Sequence, residues 1–121
     1  MTPTRSWISI FLVVLAVASA PETCWAHAIL MESTPKINST VKGPDLDIVL
    51  RYNVRIDAQR STLHMVAPNG TVSSLAIAKQ ISQDRLQSHA AGLTSGAYKL
   101  QWQVLASDGH ISRGEIPFAV N

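Results

Sequence analysis

An all-β sandwich of about seven strands is the fold class this sequence predicts. Three observations carry it. Apolar residues recur with a period of two, the runs that show this are short, and turn residues separate them with no sustained helical period past residue 26. In chain order, the first run covers residues 28–33 and leads into a loop over 34–40. Residues 46–54 alternate cleanly, with Leu46, Ile48, Leu50, Tyr52 and Val54 on one face and Asp47, Val49, Arg51 and Asn53 on the other. Runs at 61–67 and 71–77 flank Pro68-Asn69-Gly70, and Asn-Gly favours the positive backbone angles of a tight hairpin, so these two should pair antiparallel. A weak strand follows at 83–87, then a polar loop that holds His89 and continues over 90–96. The clearest strand is 97–105, where Tyr98, Leu100, Trp102 and Val104 share a face opposite Lys99, Gln101 and Gln103, so one side is buried and the other wet. Ile116, Phe118 and Val120 alternate in a final run over 113–120. Asn38-Ser39-Thr40 and Asn69-Gly70-Thr71 fit a glycosylation pattern but are expected to serve as turns.

The first 26 residues are of a different kind. Arg5 precedes an apolar stretch over residues 7–20 and small residues follow, which is the charge, core and order of a secretory signal peptide. The core is shorter than the ~20 apolar residues a spanning helix needs, so it is expected to be cleaved and to leave no stable membrane anchor. Two cuts compete: Ala18-Ser19-Ala20 is followed by an unfavourable Pro21, whereas Cys24-Trp25-Ala26 leads directly to His27. Cleavage after Ala26 gives a signal peptide of residues 1–26 and one mature domain, residues 27–121, large enough for a modest core.

Cys24 is the sole cysteine and leaves with the signal, so the mature chain is expected to have neither a disulfide nor a thiolate ligand. Pro21-Glu22-Thr23 before it lacks the apolar and small residues of a lipid attachment site. Nine basic and seven acidic residues remain, scattered without a run of like charge. That excludes a nucleic-acid surface, which needs clustered Lys and Arg.

Four histidines remain: His27, His64, His89 and His110. His110 closes Ser107-Asp108-Gly109-His110, a turn between the two last strands, and Gly109 lets it fold tightly enough for Asp108 and His110 to converge. His27, once it begins the chain, offers a free amine and Nδ1, which can close a six-membered chelate ring on one ion. With His110 this makes three nitrogens, and Asp108 adds an oxygen. Square or tetragonal N and O coordination points to Cu(II), which also heads the divalent affinity order. A terminal amine ordinarily titrates at about 7.7 to 8.0, so the metal must displace a proton near neutrality. His64 alternates with Leu63 and Met65 and is expected on a strand surface. Met31 and Met65 are far apart and are expected to fill the core rather than hold a soft metal. Ser107, Asp108 and His110 are nearly contiguous and cannot line up as a hydrolase triad.

These residues give the chain a resemblance to the CopC-type periplasmic copper-binding and copper-resistance proteins. It begins with His27-Ala28 after the signal, passes Leu30, Ser33, Pro35, Val41, the run Ile48-Val49-Leu50-Arg51-Tyr52 and Gly96-Ala97-Tyr98, and is strongest from Trp102 to Asp108-Gly109-His110, before Gly114. The resemblance implies an immunoglobulin-like Greek-key β-sandwich or barrel that binds one Cu(II) per chain through His27, Asp108 and His110, exported to the periplasm. It also implies an inner-membrane copper transporter of the CopD type as partner. Some members carry a methionine-rich loop for Cu(I), and this sequence has none. Tyr52-Asn53 stands where the family has an aromatic followed by Ser or Asn, at a position expected not to touch the site.

A copper-binding protein that sequesters copper or hands it to a transporter, not an enzyme, is therefore the expectation. A small copper-dependent monooxygenase with a histidine-brace site is the alternative; the short mature chain and an Asp108 ligand in a position where oxygen needs vacancy count against it. A metal-free interaction module is the third.

Overall fold

The computed structural model describes residues 27–121, so the signal peptide, Cys24 and the expected cut at Ala26 lie outside the described residues. Eight strands form two sheets packed face to face: β1 (Leu30–Thr34), β2 (Ser39–Val41), β3 (Leu46–Tyr52), β4 (Ile56–Val66), β5 (Val72–Leu75), β6 (Arg85–Ala90), β7 (Gly96–Ala106) and β8 (Ile111–Val120). One sheet has the order β1-β3-β6 and the other β2-β8-β7-β4-β5. This is the expected immunoglobulin-like sandwich, and the described residues contain no helix long and apolar enough to cross a membrane.

The alternation in the sequence sets which side chains meet between the sheets. Ile48, Leu50 and Tyr52 from β3 and Leu86 from β6 face Leu63 and Met65 from β4, Leu100, Trp102 and Val104 from β7, and Ile116 and Phe118 from β8, all buried. Tyr98 adds a corner near the start of β7: its hydroxyl accepts from the Thr94 N–H at 2.9 Å and donates to the Thr94 carbonyl at 2.9 Å, a device typical of immunoglobulin-like sandwiches.

Several expectations are corrected. The segment 34–40 is not all loop, because Ser39–Val41 pairs parallel with β8; three residues without alternation left no signal. β4 begins at Ile56, five residues before the expected start, and the register shifts between Asp57 and Thr62. Buried Ser61 bridges that bulge, donating to the Asp57 carbonyl at 2.6 Å and accepting from the Leu105 N–H at 3.3 Å. The β4–β5 hairpin closes with Ala67 N–H on Thr71 and Gly70 N–H on Ala67, both at 2.9 Å, and of its turn residues only Gly70 has positive φ. The antiparallel hairpin around Pro68-Asn69-Gly70 is as expected, its three-residue loop ending in a glycine bulge. Asn38 and Asn69 do lie in turns. His89 is not in a loop: it sits on β6 opposite Asp47, which it meets at 2.8 Å. Met65 is core, but Met31 stands at a bulge between Leu30 and Glu32 and is 53% exposed. His64 is on the outer face of β4, as expected.

Candidate metal centre

β7 and β8 are the longest-paired strands, in register from Gly96↔Val120 to Leu105↔Ile111, and this rigid ladder ends in the turn 107–110. Ala106 N–H donates to the His110 carbonyl at 2.8 Å and Gly109 N–H to the Ala106 carbonyl at 2.9 Å, with Gly109 at φ +92°, where an L side chain would be strained. Ser107 N–H reaches across to the Arg55 carbonyl at 3.0 Å, tying the turn to the start of β4.

Inside that turn Asp108 and His110 meet, as the spacing predicted. Asp108 Oδ1 accepts from the His110 backbone N–H at 3.0 Å, and Oδ2 lies 3.1 Å from His110 Nδ1.

His27 arrives from the far end of the chain. Its ring lies 5.9 Å from that of His110, centroid to centroid, at an interplanar angle of 66°. An ion about 2.0 Å from one nitrogen of each ring sits about 3 Å from each centroid, so two rings that share one ion stand roughly 4.5 to 6 Å apart. The observed separation falls in that span. Among the described residues no group of three His, Cys, Asp or Glu side chains is assembled so as to hold a metal ion. The expected donor set calls for three side chains, those of His27, Asp108 and His110, together with the amine that cleavage would create, and the structure brings them near one another pair by pair.

Two residues that hold this geometry were not singled out from the sequence. Ser112 Oγ accepts from the Ala28 N–H at 3.2 Å, and Asn53 Oδ1 accepts from the Ile29 N–H at 2.7 Å. Asn53 bonds none of His27, Asp108 and His110 but holds Ile29, in the segment between His27 and β1. The available signal was a short amide side chain just past an alternating run, the kind that substitutes for a backbone partner. His64 and His89 are elsewhere, on the outer faces of opposite sheets.

The family model of the CopC domain matches residues 30–121. The chain belongs to the CopC family. It is 27% identical to protein YobA of Escherichia coli K12 over 99% of both chains, and 26% identical to copper resistance protein C of Xanthomonas campestris pv. juglandis over 93% of this chain and 94% of that one. Among solved structures, CopC from Methylosinus trichosporium OB3b superposes with a TM-score of 0.73 at 25% identity, covering 78% of this chain and 94% of its own. The match leaves out His27, Ala28 and Ile29, the segment on which the centre depends.

Proposed function

We propose that this CopC-family chain is an exported copper-binding protein of copper homeostasis, which takes up one Cu(II) per molecule in the periplasm and sequesters it or passes it to an inner-membrane transporter of the CopD type. It is a binding protein and not an enzyme. The signal peptide of residues 1–26 is removed after Ala26, and His27 then supplies its terminal amine and Nδ1, His110 an imidazole nitrogen and Asp108 an oxygen.

The observation that carries this is the approach of the His27 and His110 rings to 5.9 Å, with Asp108 already on His110. The copper role is further supported by the relative named for copper resistance. Ligands on a surface turn and a chain end suit a carrier: the ion is reachable by a partner, and the buried sandwich beneath it need not move.

Competition titration against a chelator of known Cu(II) affinity tests this on the chain that begins at His27. A variant with Ala at both His27 and His110 should bind more than about 100-fold more weakly, beyond the 10- to 100-fold that loss of a merely supporting group costs. Equal affinity of the variant and the unaltered chain would overturn the assignment.

A further inference from the structure

We propose that Asn53 and Ser112 are positioning residues of the copper centre, a clamp that fixes the chain directly behind His27. This rests on the Cu(II) assignment above and concerns groups outside its ligand set.

The need for a clamp follows from the topology. The ladder of β1 on β3 ends at Leu30↔Tyr52, which leaves His27 three residues past the last paired position. Chain ends fray unless tied down, and a donor on a fraying end must be ordered each time an ion binds. Here the next two peptides are both held by side chains. Ile29 is gripped twice by Asn53: its N–H donates to Oδ1 at 2.7 Å and its carbonyl accepts from the Asn53 N–H at 3.1 Å. Ala28, buried in the core, donates its N–H to Ser112 Oγ at 3.2 Å. The two grips come from opposite sheets, since Asn53 follows β3 and Ser112 lies on β8. The chain behind His27 is therefore pinned across the mouth of the sandwich. Ser112 also links the two imidazoles by a short route: it lies two residues past His110, at the start of β8, and its hydroxyl holds the Ala28 amide that adjoins His27. Both groups act on backbone amides of the segment behind His27, which makes them positioning residues.

The test uses the chain that begins at His27, with Asn53→Ala and Ser112→Ala and the conservative pair Asn53→Asp and Ser112→Thr, which keep an acceptor oxygen. Two quantities are measured: amide hydrogen exchange in the copper-free protein, and the rate of Cu(II) release to excess chelator. Each Ala variant should speed exchange at its own amide, Ile29 for Asn53 and Ala28 for Ser112, and speed release by about three- to tenfold, the worth of one ordinary hydrogen bond. Exchange within the β7–β8 ladder should stay unchanged, which a general loss of stability would not allow, and Ser112→Thr should restore slow release. If the unaltered chain holds copper and the Ala variants release it at the same rate, the clamp is overturned while the Cu(II) assignment stands. If the unaltered chain releases copper as fast as the His27 and His110 double variant, the Cu(II) assignment fails and the clamp's role in the centre fails with it.

Discussion

Two buried tyrosines show how the same residue type acts differently according to its partners. Tyr98 has a hydroxyl that both donates to and accepts from the Thr94 backbone, while Tyr52, packed edge-on against Trp102 at 5.2 Å, has a buried hydroxyl with no partner among the described residues. Burial pushes the Tyr52 phenol well above its ordinary value, so it stays neutral. Tyr98→Phe should therefore cost about 1–3 kcal/mol, and Tyr52→Phe should be nearly neutral or stabilising. Chemical denaturation of the two variants checks this, and similar losses from both would refute it. Near the start of the chain the Arg51 guanidinium, 3.0 Å from Glu32, holds that carboxyl below its usual 4.5. A depressed carboxyl contributes stability that is present above the unfolded value and is lost as pH falls through the folded one. Glu32→Gln should thus leave thermal stability at pH 3 close to that of the unaltered chain and lower it slightly at pH 6. Both side chains face solvent, so the difference is small.

At the scale of the strands, the joint between β7 and β8 is set by one glycine. A Cβ placed on Gly114 would lie 2.4 Å from the Trp102 ring, a rigid group rather than a flexible side-chain end. Gly114→Ala should cost about 1–3 kcal/mol through overpacking, read from the denaturation midpoint. The same joint explains what could be read in the sequence. Long strands with one wet face, such as β3 and β7, are legible because each residue repeats the pattern. β2 is held by three parallel positions on β8, and the start of β4 by a bulge that Ser61 bridges, and neither leaves a periodic trace. For the centre, the Asp108-Gly109-His110 turn was legible as a local motif. The grip of Asn53 and Ser112 on residues 28 and 29 was not, because the first partnership exists only once β1 has paired with β3 and the second only once the two sheets have closed.

For the whole molecule, the proposed donors are far apart in sequence, His27 against Asp108 and His110, and the two histidine rings come within 5.9 Å only in the folded sandwich. Copper bound there must stabilise the fold by mass action, by about 2.7 kcal/mol at a free concentration 100 times Kd. Thermal unfolding should show a rise with Cu(II) that the His27 and His110 double variant lacks. The proposed centre also depends on where the chain starts, since its proposed amine ligand is created only when the peptide between Ala26 and His27 is cut. The most direct measurement compares Cu(II) affinity, by chelator competition, of a chain beginning at His27 with one beginning at Ala26. Weakening by at least about tenfold from that single added residue is the result expected if the terminal amine is a ligand; equal affinity of the two chains would contradict it.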